Sequence, residues 1–241
     1  MDEEISPEAN LLMLNLDDIF ENFSLIKRSK IECDWGDDFS QGPHLLLPHL
    51  SELRKFGFCL ALKGKSDIQQ GDGEAFVDDI LTLFTMASHI KSSPILVNLF
   101  VGHAIDELAV NLLSEYLHRL NEKELKALQL GLVNLPMEKT VADCLPTEKQ
   151  FISGWFKEKV IQIKKENPEN ENEGLDEIRH LVFLLTEADT EDWQVILDDS
   201  NNAIDGIIAL IEEAEKYYNE IAEWTQLKPQ ECLKKLLNFR D

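Results

Sequence analysis

The chain has 241 residues, which is enough for one large domain or two small ones. Its 44% hydrophobic and 29% charged residues are typical of a folded soluble protein and exclude a disordered chain. Because 46 Asp and Glu residues outnumber 23 Lys and Arg residues, the net charge of −23 disfavours direct binding to nucleic acid and to anionic lipid.

The first 42 residues predict one helix followed by a loop. Residues 10–30 place apolar side chains three and four positions apart, which indicates an amphipathic helix. The opening MDEEISPEAN lacks the basic residues of a signal peptide, so we predict a cytoplasmic protein. If Met1 stands where a leader was removed, the alternative is an exported or membrane-anchored protein. Residues 31–42 show no helical period, and Trp35 within them is expected to pack on the helices, with ligand stacking as the alternative.

Three helices are predicted between residues 43 and 120. The first starts between Pro43 and Pro48 and ends near Gln70, and the second covers residues 74–91 with Asp78, Asp79, Thr82 and Thr85 on its polar face. Residues 94–120 form the most apolar run, which predicts a central buried helix wrapped by the others. Two acidic residues inside that run, at 106 and 107, argue against direct membrane insertion.

A resemblance covers roughly residues 45–150. The run ALKGKSDIQQGDGEAFVDDILTLFTMASHIKSSPILVNLFVGHAI, residues 61–105, resembles a segment of uncharacterised all-helical bacterial proteins. The turn at Gln70-Gly71-Asp72, with Ala75, is also similar to the turn inside a tetratricopeptide unit, although no second copy is present. The resemblance implies an all-helical fold and no assigned activity. Since members of that family often carry an N-terminal anchor, it also implies the membrane-anchored alternative.

Two further capping signals and one basic surface lie between residues 121 and 166. Asn121-x-x-Glu124 and Thr147-x-x-Gln150 each predict a helix start. The second of these helices carries a row of lysines on its outer face, namely Lys149, Lys157, Lys159, Lys164 and Lys165. The lysines either are ordinary solvated side chains or contact an acidic surface, in this chain or in a partner.

The acidic excess is concentrated near the C-terminus. Residues 166–223 hold 18 Asp and Glu residues and only two basic residues, Arg179 and Lys216. Residues 167–175 predict an acidic linker or long loop between a helical core of residues 1–166 and acidic helices of residues 176–241, which pack on the core as a single domain. Since no stretch alternates like a strand, we predict an all-α multi-helix bundle or irregular α-α superhelix.

The pattern most suggestive of chemistry is a pair of Glu-x-x-His motifs. Glu115 with His118, and Glu177 with His180, have the spacing that places both side chains on one helical face. In ferritin-like bundles two such motifs help to build a di-iron site. The first motif, however, lies on the polar side of its helix, so a metal-binding helical enzyme is the alternative rather than the leading interpretation.

The leading prediction is a non-enzymatic interaction or scaffold protein without a cofactor. No phosphate-binding loop, zinc motif or nucleophile motif occurs in the sequence. The expected partner is a protein with a basic surface or a second copy of the chain. A further alternative is an acidic mimic of nucleic acid that binds a basic protein. The acidic residues predicted to take part are Asp198, Asp199, Glu212 and Glu213.

The four cysteines do not form a CxxC motif. Cys33, Cys59, Cys144 and Cys232 are far apart in sequence, which excludes the usual metal and redox spacings. Reduced, mostly buried thiols are the first interpretation, and a disulfide in an oxidising compartment is the second.

Overall fold

The computed structural model describes residues 33–186 and 190–225, together with residues 227, 228, 231 and 235. The predicted helix of residues 10–30 and Cys232 lie outside the described residues. Within this part of the chain every regular element is helical and no strand occurs, which confirms the all-α prediction. The α-helices are α1 (Pro48–Gln70), α2 (Gly73–Lys91), α3 (Leu96–Tyr116), α4 (Glu122–Val133), α5 (Val141–Glu148), α6 (Trp155–Glu166), α7 (Glu171–Thr186), α8 (Thr190–Asp199) and α9 (Ile204–Trp224).

Three shorter helical segments complete the described elements. Phe39–His44 and Leu117–Arg119 are 3-10 helices, and Lys149–Gly154 is a π-helix that joins α5 to α6. The chain is therefore helical from Val141 to Glu166, so the capping box predicted at Thr147 does not start a new helix.

The chain divides into two compact units. The described residues of unit 1 are 33–36 and 47–140, and those of unit 2 are 37–46 and 141 onward. The predicted boundary at residue 166 therefore lies inside unit 2. The reason is hydrophobic: Val160 of α6 is fully buried in the same apolar cluster as Ile178, Ile204 and Ile207 from the acidic helices.

Unit 1 is organised around α2, not around residues 94–120 as the sequence predicted. α2 packs against α1, α3 and α4 and is buried along most of its 19 residues. α3 buries one stripe, which includes Leu99, Ile105 and Ala109, and leaves Phe100 62% exposed. Apolar density overestimated the burial of α3, because an apolar side chain on a helix surface has the same hydropathy as a buried one.

The polar residues of α2 are buried because their polar groups find partners within unit 1. The hydroxyls of Thr82 and Thr85 each donate to the carbonyl four residues earlier, at 2.7 Å in both cases. Asp79 is 3.0 Å from the Lys63 ammonium, which also binds Asp67 at 2.8 Å. Periodicity had placed Asp78, Asp79, Thr82 and Thr85 on a polar face opposite the core. Asp78 is exposed as expected, whereas Asp79, Thr82 and Thr85 are buried.

Burial changes the proton affinity of Asp79. Loss of solvent raises the pKa of its carboxyl to about 7, and the nearby Lys63 ammonium opposes that rise. Burial works against the charge on Lys63, but Asp79 and Asp67 outweigh it and raise the pKa of the lysine. Asp79 is therefore a buried carboxyl that titrates near neutral pH.

Trp35, in the loop that precedes α1, packs on the helices of unit 1. The Trp35 indole N–H donates to the carbonyl oxygen of His89 at 3.3 Å, and its ring stacks on His49 with a 4.8 Å centroid separation. This confirms the prediction that Trp35 packs on the helices.

No disulfide joins the three described cysteines, at 33, 59 and 144.

Unit 2 has its own apolar core, formed by α6, α7, α8 and α9. Its buried members are Val160, Ile178, Trp193, Ile204, Ile207 and Ile211. The predicted linker of residues 167–175 is mostly helical, because α7 already begins at Glu171 and its Gly174 is buried against Ile204. Only residues 167–170 are non-helical there.

The turn between α8 and α9 requires particular residues. Asn201 and Asn202 both have a φ of 55°, a left-handed conformation that Asn tolerates better than most residues. A Cβ atom at Gly206 would lie 1.9 Å from the carbonyl oxygen of Ser200. Glycine at position 206 therefore allows α9 to start directly against this turn.

By length and composition alone, one described stretch, Leu96–Arg119, is long and apolar enough to cross a bilayer. The core helix of a soluble protein can meet the same criterion. α3 also carries Asp106 and Glu107, which disfavour a position inside a bilayer. The expectation of no membrane insertion stays a prediction.

Candidate functional site

The lysines predicted to form a basic surface in unit 2 are bound mainly by carboxylates of α9. Lys149 is 3.3 Å from Glu215, Lys157 is 2.7 Å from Glu212, and Lys164 is 2.5 Å from Asp205. The sequence left open whether the lysines contact an acidic surface of this chain or of a partner protein. These three lysines contact the acidic block of their own chain.

The pair formed by Lys157 and Glu212 shows the electrical consequence of this contact. The hydrogen bond from Lys157 lowers the pKa of the Glu212 carboxyl, and the same bond raises the pKa of Lys157. Both side chains remain charged at neutral pH and cancel each other at short range. Lys159 has a different neighbour, because its ammonium lies 5.7 Å from the centre of the Trp155 ring. Lys165 is exposed.

Several acids of the same block have no cation beside them. Asp198, Asp199 and Glu213 are exposed, and no Lys or Arg of the described residues lies within ion-pair distance of them. Asp198 accepts a hydrogen bond from the Gln194 amide at 2.9 Å, which leaves its negative charge uncompensated. Of the four acids predicted to take part in binding, Glu212 alone is neutralised by a described residue, Lys157.

An open groove of about 500 Å³ lies between α6 and α7, and we call it the α6/α7 groove. Lys159 and Ile163 line it from α6. The residues that line it from α7 are Glu173, Asp176, Glu177, His180, Leu181 and Leu184. Sequence analysis predicted the two helices but not the groove, because the space depends on how α6 and α7 pack.

The two Glu-x-x-His motifs lie in different units. Glu115 and His118 are exposed at the end of unit 1 helix α3 and in the following 3-10 turn, whereas Glu177 and His180 line the α6/α7 groove of unit 2. A search of the described residues finds no group of three or more His, Cys, Asp or Glu side chains that could hold a metal ion. The metal site at Glu115, His118, Glu177 and His180 stays a prediction.

Unit 1 contains a charge cluster around a buried lysine, Lys91, that the sequence did not predict. Lys91 is 1% exposed, and its ammonium binds the carboxylates of Asp106 and, at 2.7 Å, Glu138. Glu138 also accepts a hydrogen bond from the Ser88 hydroxyl at 2.8 Å. Burial raises the pKa of Asp106, and the hydrogen bond from Lys91 opposes that rise. The ammonium and both carboxylates are thus engaged with each other, which indicates a structural role.

The stem of Lys91 explains a glycine in α3. A Cβ atom at Gly102 would lie 2.3 Å from Cγ of Lys91 and 3.0 Å from the carbonyl oxygen of Ala87. Glycine at this position therefore lets α2 and α3 approach closely enough to enclose the aliphatic part of the lysine.

Comparison with known proteins adds no further information to this geometry. No family model matches the chain, and the searches of curated proteins and of solved structures returned no significant match. The resemblance to all-helical bacterial proteins therefore stays a prediction.

Proposed function

We propose that the protein is a non-catalytic interaction module whose acidic unit 2 binds a protein partner with a basic surface. The observation that carries the proposal is the fate of the lysines. Carboxylates of the same chain form ion pairs with Lys149, Lys157 and Lys164. The exposed acids Asp198, Asp199 and Glu213 have no cation within ion-pair distance among the described residues. That remaining negative charge attracts and selects a positively charged surface.

The same pairing favours a different partner over a second copy of the chain. Self-association through these residues requires the lysines of one copy to meet the acids of the next. Three of the lysines are already bound, so an exchange would break internal ion pairs to form equivalent external ones. A partner that supplies its own Lys or Arg residues forms new ion pairs without breaking any.

The buried charges support an interaction role in place of catalysis. In unit 1, Lys91 and Lys63 are each bound by two carboxylates. Reactive groups of enzymes usually line an accessible cleft, whereas these ammonium and carboxylate groups are paired with each other. Exposed charge is therefore the chemistry that unit 2 offers to other molecules.

Affinity capture from the native cell, followed by purified-partner binding, tests the proposal. Wild-type protein is compared with the triple variant Asp198→Asn, Asp199→Asn and Glu213→Gln. We expect the retained proteins to have basic surfaces, to be captured in smaller amounts at higher salt, and to bind the variant more weakly, because all three effects follow from charge attraction.

A charge-matched control separates the site from the total charge. The control triple variant changes Glu52→Gln, Glu74→Gln and Glu122→Gln, three exposed carboxylates of unit 1 that are already paired with lysines. It should bind like wild type. Salt-independent capture, partners without a basic surface, or equal losses in the two triple variants would contradict the proposal.

A further inference from the structure

The residues of α7 that line the α6/α7 groove form one continuous stripe. Glu173, Asp176, Glu177, His180 and Leu184 follow one another at helical spacing, so their side chains project from one face of the helix. From Glu173 to Leu184 the stripe is about 17 Å long at 1.5 Å per residue. This length corresponds to about three turns of a second helix lying beside α7.

The two ends of the stripe differ in polarity. The N-terminal half carries carboxylates, whereas the C-terminal half carries Leu181 and Leu184. Leu184 is 58% exposed, and its neighbour Phe183 is 53% exposed. A surface with apolar side chains at one end and acids at the other matches a ligand with the opposite arrangement of leucine-like and basic side chains.

The charges along the groove are mostly uncompensated. Asp176 and Glu177 have no cation within ion-pair distance among the described residues, and Glu173 is held only by the neutral amide of Asn170 at 3.0 Å. The single lysine of the opposite wall, Lys159, lies over the Trp155 ring. Basic side chains of a ligand would therefore find carboxylates that no described Lys or Arg residue neutralises.

We propose that the α6/α7 groove binds a basic amphipathic helix of a partner protein, about three turns long. Its lysines or arginines contact Asp176 and Glu177, and its leucine-type side chains cover Leu181 and Leu184. The inference rests on the proposed function and deepens it, because it names the surface and the kind of partner segment. An acidic surface alone would bind basic chains of any pattern, whereas this groove discriminates by pattern.

The test uses the full-length protein and a labelled peptide of 15 residues in fluorescence anisotropy at physiological salt. The peptide places leucines on one helical face and lysines on the other, and a second peptide has the same composition in scrambled order. We expect the scrambled peptide to bind about 10-fold more weakly, since one or two apolar anchors commonly account for such a difference.

Matched variants locate the binding. Leu184→Gln is compared with Val195→Gln, which changes an equally exposed apolar residue of α8. Asp176→Asn with Glu177→Gln is compared with Glu52→Gln and Glu74→Gln, which removes the same charge from two exposed positions of unit 1. We expect about 10-fold weaker binding for each groove variant and a change within about twofold for each control. All substituted positions are exposed, and circular dichroism verifies the helical fold.

The outcomes distinguish this inference from the proposed function. Equal binding of both peptides, or equal losses in groove and control variants, overturns the groove inference while leaving charge-based binding intact. Failure of both peptides to bind also overturns the groove inference, and the capture experiment then decides the proposed function separately.

Discussion

The titration of Asp79 makes unit 1 less stable as the pH rises through neutrality. Its pKa is raised from an ordinary value of 3.8 to about 7 by burial, so the folded state holds a proton that the unfolded state has already released. Folding stability therefore falls with increasing pH wherever the folded state binds more protons. Lys63 does not change this sign, because its raised pKa contributes stability that is constant until the pH approaches the ordinary lysine value.

The size of the effect follows from the same values. Between pH 5.5 and 8.5 the unfolded carboxyl is ionised throughout. The folded carboxyl, with a pKa of about 7, keeps its proton over the lower part of this range, an interval of about 1.5 pH units. At about 1.36 kcal/mol per unit, unit 1 should lose about 2 kcal/mol of unfolding free energy over this range. Asp79→Asn, which keeps the neutral form at every pH, should remove this dependence.

Hydrogen exchange of peptides that cover α2 measures this prediction within unit 1. The opening free energy of these amides, corrected for the intrinsic pH dependence of exchange, is compared between wild type and Asp79→Asn. Glu52→Gln, an exposed carboxylate of the same unit, serves as the control and should keep the wild-type slope. An opening free energy that rises with pH in the wild type, or a pH dependence that persists in Asp79→Asn, would refute the reasoning.

Three further substitutions test the packing that holds the two units. Gly206→Ala places a Cβ atom 1.9 Å from the Ser200 carbonyl oxygen, so urea unfolding should show unit 2 destabilised by about 2 kcal/mol; an unchanged midpoint would contradict the close contact. Lys91→Met leaves the Asp106 carboxylate without its cation and should cost about 3 kcal/mol in thermal unfolding, part of which Asp106→Leu in the same chain should restore. Asn121→Ala removes the cap of α4 and should cost about 1 kcal/mol, measured as faster hydrogen exchange in its first turn; equal exchange rates would rule out the cap.

Helix limits could be predicted from sequence because their signals are local. Pro48 begins α1, Gly71 ends it with a left-handed φ of 90°, and the capping box at Asn121 and Glu124 is present as predicted. Each of these signals acts within a few residues of the helix end. Local chemistry alone therefore specified most elements of the described fold.

The features that escaped prediction depend on residues far apart in the chain. Lys91 is buried because Asp106 and Glu138, 15 and 47 positions later, neutralise it. The sequence left open whether Lys157 contacts an acidic surface of this chain or of a partner, because Lys157 meets Glu212 only after α6 and α9 pack together. The α6/α7 groove belongs to the same class, since periodicity identifies which face of a helix is apolar but not which neighbour covers it.

The internal pairing of Lys149, Lys157 and Lys164 also changes the electric field around the protein. Each ion pair is a short dipole, whose field decays more steeply than that of a single charge, while the solitary carboxylates add together. Beyond about one Debye length, roughly 8 Å in physiological salt, all of these fields are largely screened. Ionic strength should therefore act mainly on the rate at which a cationic molecule arrives, and much less on how long it stays after contact.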